Sequence, residues 1–92
     1  MHMRVTRARS DPKRFDESVR VMLQAAEAVR QLPGNDSTWV VGDRATGEAV
    51  VISTWDTEDH ARWSPDALGE WGGKLQAVGV QFDPPQIFEG LG

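Results

Sequence analysis

The chain has 92 residues, with 14 acidic and 10 basic side chains, a formal net charge of −4 and no cysteine. That length corresponds to one domain, residues 1–92, and the acidic balance argues against a nucleic-acid partner. The lack of Cys removes a disulfide framework, a thiol nucleophile and a thiolate metal site. No apolar run approaches the roughly 18 residues of a membrane span, and the start of the chain lacks a signal-peptide core, so no membrane partner and the cytosol are expected. A domain this small buries only about 60% of its unfolded surface, which makes self-association a natural source of further burial.

Residues 3–9 (MRVTRAR) alternate as a first strand, with Met3, Val5 and Arg7 on one face and Arg4, Thr6 and Ala8 on the other. Ser10-Asp11-Pro12 is a helix start, a capping side chain followed by Pro. Phe15, Val19, Met22, Leu23, Ala26 and Val29 then recur at the three-and-four spacing of one helical face. Leu32-Pro33-Gly34 ends that helix. Asn35-Asp36 reads as loop, and residues 37–42 (STWVVG) as a second strand. A short polar connection ending at Gly47 makes this strand and residues 48–55 a hairpin.

The stretch EAVVISTWDTEDHARW, from Glu48 to Trp63, organises the rest. Its first half is a β-branched run, and Thr57 then caps a helix whose first turn carries Glu58 and Asp59. Ser64-Pro65-Asp66 repeats the cap-then-Pro signal, giving a break and a fresh helix to about Leu75 with Leu68, Trp71 and Leu75 as its apolar edge. Residues 78–83 read as irregular, Pro84-Pro85 as a stiff spacer and residues 86–91 as a last strand.

The order β-α-β-β-α-β is the ferredoxin-like α+β arrangement, with both helices on one face of a four-stranded antiparallel sheet. The other face keeps its β-branched side chains uncovered: Val51, Ser53 and Trp55 share one side of their strand, and Val50, Ile52 and Thr54 the other. A bare apolar face of this kind points to a homodimer through the sheets, of roughly 800 Å² per partner. Trp55, Trp63 and Trp71 either wall a pocket for a flat small apolar molecule or pack the core. Trp39 is a dimer or strand-packing residue. His60 lies three residues before Trp63 on the same helical side and is either a general base or a surface side chain. Arg7 and Arg9 share a strand face and either bind an anion, form a salt bridge across a dimer or keep an exposed strand soluble. His2 and His60 lack a third ligand, so no metal site is expected.

With this order in place, Trp55-Asp56-Thr57-Glu58-Asp59 at the end of a strand, and the Pro33-Gly34 turn before the second strand, resemble the antibiotic-biosynthesis monooxygenase superfamily. The resemblance implies a dimeric α/β barrel and cofactor-independent oxidation of a small aromatic substrate. It places Trp55, Trp63, Trp71 and Val51 against that substrate, with His60 and Arg7 as the candidate catalytic residues for charge handling. The Asn and Tyr of quinol-oxidising relatives are replaced here by Val51 and Ala61. That departure equally suits a non-catalytic dimeric barrel binding a small molecule or partner. Heme-degrading relatives use an Asn on the first strand and a downstream His; this chain has neither, which disfavours heme chemistry.

Overall fold

A computed structural model describes all 92 residues. The elements are β1 (His2–Arg9), α1 (Phe15–Arg30), β2 (Asn35–Asp43), β3 (Glu48–Trp55), α2 (Glu58–Ala61), α3 (Trp71–Ala77), β4 (Gln81–Phe82) and β5 (Gln86–Glu89). Every pairing in the sheet is antiparallel, in the order β2-β3-β1, with β4 and β5 both on the free edge of β1. β4 and β5 are two halves of one last strand: β4 pairs with Ala8 and Arg9, β5 with residues 2–5, and Pro84-Pro85 separates them. Proline has no N–H to give to a ladder, so the pairing is interrupted there. The result is the α+β, ferredoxin-like layout.

Several boundaries differ from the sequence expectation for identifiable reasons. Asn35-Asp36 belongs to β2 and is not loop, because a bulge between Asn35 and Ser37 lets Asn35 pair with Trp55. The Asn35 amide holds that bulge by donating to Ser37 O and Thr38 Oγ1 at 3.2 and 3.0 Å. Before α1, the cap is Asp11, whose side chain accepts from the Lys13 amide; it starts a 3-10 turn over Pro12–Arg14. Leu23, read as part of the inner face of α1, is 48% exposed, and Ser18 is buried there instead, its Oγ donating to Val78 O.

The second helical region is the larger correction. It is not one broken helix but three short pieces: α2, a 3-10 turn over Pro65–Leu68, and α3. Thr57 does cap α2, accepting from the His60 amide at 3.1 Å, and Ser64 caps the 3-10 turn. The fresh helix fails to run from Ser64 to Leu75 because Gly69 takes a positive φ of 58°, outside helical geometry. Residues 81 and 82, expected to be irregular, form β4.

The inward side of the sheet carries Arg4, Thr6 and Ala8 of β1 against Ser53, Val51 and Ala49 of β3. Two buried clusters sit between this side and the helices. One joins Ala8, Ala49, Met22, Ala25, Leu75 and Val80; the other joins Val29, Trp55 and Ala61, with Leu32, Trp63, Leu68 and Ile87 packed on it. The opposite side carries Met3, Val5, Val50, Ile52, Trp39, Val41 and Phe88, and no helix covers it. Trp39, Val41 and Phe88 are each about half exposed there. No helix is long and apolar enough to cross a membrane.

Candidate functional site

The side chains facing each other between sheet and helices are too small to close the gap. Ala25 and Ala26 on α1 oppose Thr6 and Val51 on the sheet, leaving a cavity of about 580 Å³. Met22 and Val29 of α1, Trp63 and Leu68 of the segment after β3, and Leu75, Val80 and Phe82 supply the large apolar side chains of its wall. This is the size and apolar lining typical of small-ligand sites. No His, Tyr or Cys lines it, and its single carboxylate, Asp83, already accepts from Arg9 Nη2 at 2.9 Å. No group of three or more His, Cys, Asp or Glu is positioned to hold a metal.

The one cation in the wall is Arg4, an inward position of β1 and only 6% exposed. Its Nη1 donates to Ala61 O at 3.1 Å and Trp63 O at 2.7 Å, tying the end of α2 to the sheet. The guanidinium lies 4.0 Å from the Trp63 ring centroid, a cation–π contact that fixes its plane. Arg4 has no carboxylate partner. Burial pushes its guanidinium below the ordinary arginine value, yet a guanidinium stays protonated in proteins. Arg4 Nε and Trp63 Nε1 are both buried without any partner. By sequence Arg4 shares a strand face with Thr6 and Ala8, which by itself assigns it no role. The available signal was a charged residue at an inward strand position between small neighbours.

The predicted site residues are dispersed. Val51 and Trp63 line the cavity. Trp55 does not: it is fully buried behind Trp63, ring centroids 6.4 Å apart, with its Nε1 donating to Ser53 Oγ at 2.8 Å. Trp71 opens α3 and packs on the Ala8–Leu75 cluster, with the Lys74 ammonium 4.4 Å from its ring centroid, and it too lies outside the cavity wall. Arg7 faces the uncovered side of the sheet, opposite Val50, and makes no ion pair.

His60 is exposed and apart from the cavity. Its Nδ1 is 2.6 Å from Asp56 Oδ1; because a carboxylate only accepts, the Nδ1–H is the donor. That hydrogen bond is the main reason the Asp56 carboxyl sits below the usual carboxylate range. The pair lies directly over Gly34, whose φ of +79° and missing side chain make room for it.

No protein-family model matches the sequence, and no curated protein does. Solved structures match it closely in shape at low identity. A proposed antibiotic biosynthesis monooxygenase from Deinococcus radiodurans superposes with a TM-score of 0.79 at 15% identity, covering 100% of this chain and 94% of its own. A second antibiotic biosynthesis monooxygenase gives 0.71 at 14% identity, over 100% of both chains. SnoaB, a cofactor-independent oxygenase from Streptomyces nogalater, gives 0.72 at 20% identity, over 99% of this chain and 93% of its own. Matched over nearly their full lengths, these proteins show that the chain has the antibiotic biosynthesis monooxygenase fold.

Proposed function

We propose that the protein is a cofactor-independent monooxygenase acting on a small flat aromatic substrate held in the cavity between sheet and helices. The observation that carries this reading is the cavity itself, about 580 Å³ with mainly apolar walls, in the fold that SnoaB also has. Trp63 and Val51 are walls for the substrate ring; His60 and Arg7 stand outside this reading. In such a reaction the substrate supplies the electrons. A dihydroxyaromatic ring and O2 would give a hydroxyquinone and water: one oxygen atom enters a C–H bond, and the two ring hydroxyls become carbonyls. The other oxygen atom leaves as water with the two hydroxyl protons, so four electrons pass from ring to oxygen. Oxygen uptake by the purified protein with a panel of dihydroxynaphthalenes is the test. Uptake with stoichiometric hydroxyquinone supports the reading, and no uptake by folded protein across the panel ends it.

The second reading is a non-catalytic barrel that binds a small molecule. It draws support from the lack of an unengaged side chain able to take a proton in the cavity wall, since its one carboxylate, Asp83, is paired with Arg9. Ligand retained through purification without turnover would favour it. Under either reading the uncovered sheet face, with Trp39, Val41 and Phe88 half exposed, is the surface through which two copies associate. Sedimentation equilibrium reads that directly, and a monomer at micromolar concentration would refute it.

A further inference from the structure

We propose that Arg4, stacked on the Trp63 ring, forms an oxyanion-binding end of the cavity, and that its ligand is a flat aromatic molecule carrying one ionised oxygen. The inference deepens the oxygenase reading and rests on it for the location of the site. A guanidinium at 6% exposure with no carboxylate partner is a costly arrangement. Tying α2 to the sheet accounts only for Nη1, which the carbonyls of Ala61 and Trp63 occupy. Nη2 has no protein partner, and two further donors, Arg4 Nε and Trp63 Nε1, are buried without one. A donor left unmade is expensive, and an acceptor seated in the cavity in the plane of the guanidinium answers Nη2, the one of the three that is not sealed off by packing.

The acceptor is an anion because the uncompensated charge at that end is positive. Asp83, the only carboxylate in the wall, is held by Arg9. The rest of the ligand is apolar and flat because the facing surfaces are Ala25, Ala26, Val29, Val51 and the Trp63 ring. A phenolate and a carboxylate share this chemistry. For the oxygenase the phenolate has a further consequence: the buried cation favours the ionised, electron-rich ring without requiring a general base in the cavity.

The test is binding, measured calorimetrically without oxygen, of 4-nitrophenolate against 4-nitroanisole and of 2-naphthoate against its methyl ester. In the wild-type protein each anion that enters should bind about tenfold or more tighter than its neutral counterpart, the range of charge-assisted hydrogen bonds. Bound 4-nitrophenol, read by absorbance, should ionise about one pH unit lower than free. Preference for the phenolate alone, the carboxylate alone, or both supports the site and names its ligand. Arg4→Met should abolish the preference, and Arg4→Lys should keep part of it. Should Arg4→Met not fold, as judged by circular dichroism, Arg4→Gln keeps a polar side chain without the charge and should likewise lose the preference. Equal binding of anion and neutral partner in the wild type, or an anion preference that survives these substitutions, overturns the inference. Oxygen uptake indifferent to substrate ionisation overturns it while sparing the oxygenase reading; anion-selective binding without uptake does the reverse.

Discussion

Trp55 and Trp63 are adjacent in the same cluster but have different neighbours, and substituting each by Phe separates core from site. Trp55 is fully buried, and its Nε1 donates to Ser53 Oγ at 2.8 Å. Trp55→Phe leaves a void of roughly 40 Å³, which at about 24 cal/mol per Å³ costs ~1 kcal/mol. The stranded Ser53 hydroxyl, itself at a buried position, adds ~1–2 kcal/mol. The expected loss is therefore about 2–3 kcal/mol, which for a domain of this length lowers the melting temperature by roughly 10–20 °C. Ligand affinity, measured well below the melting point, should change less than about threefold, because Trp55 is not part of the cavity wall. Trp63→Phe should behave oppositely. Its Nε1 has no partner to lose, so stability falls by ~1 kcal/mol or less, while affinity for a flat ligand drops by about tenfold. Thermal denaturation and calorimetry on the two variants decide it. If Trp55→Phe abolished binding while leaving the melting temperature unchanged, the division of roles would be wrong.

Three further outcomes follow from particular contacts. Gly34→Ala must adopt φ near +79° and push aside the Asp56–His60 pair, so it should cost about 1–3 kcal/mol by denaturant unfolding; in an Asp56→Ala, His60→Ala background only the backbone part should remain. The Asp56 carboxyl is held below its ordinary value chiefly by the His60 hydrogen bond. Its stabilising contribution is therefore complete above the unfolded value of about 3.9 and is lost as the pH falls through the lower folded value. Asp56→Asn should flatten the acid limb of the stability curve below about pH 4, and an unchanged limb would contradict the pairing. Trp39→Glu places a charge on the half-exposed apolar face and should shift a dimer to folded monomers in sedimentation, weakening association by at least about 2 kcal/mol.

The fold was legible wherever local chemistry and packing agree. The periodic apolar face of α1, the β2–β3 hairpin and the Thr57 cap all appear where the sequence signals put them. It was illegible where a single backbone feature overrides the pattern. The positive φ of Gly69 splits what spacing made one helix, and a bulge at Asn35 extends β2 into apparent loop. β4 is two residues long and carries no periodicity of its own; its pairing with Ala8 and Arg9 is set by the rest of the sheet. The site was the least legible part because a cavity is made by absent volume. Large residues attract attention, yet Trp55 and Trp71 went into packing. Ala25, Ala26 and Thr6, which look unremarkable in sequence, leave the space.

Two opposing energies decide whether Arg4 holds a bound hydroxyl ionised. An oxyanion about 4 Å from the guanidinium is stabilised by ~4 kcal/mol at an effective dielectric constant near 20. Moving that oxyanion out of water into an apolar cavity costs several kcal/mol, offset further by a hydrogen bond from Nη2, which has no protein partner. At roughly twice the distance the Coulomb gain halves and that bond is not made, so desolvation wins and the neutral phenol is favoured instead. The balance thus depends on length. A substrate whose oxygen reaches Arg4 is ionised and electron-rich, and one that stops short among Val29, Val51 and Ala26 stays protonated. Among equally apolar rings of similar size, the position of the hydroxyl should therefore decide which are substrates.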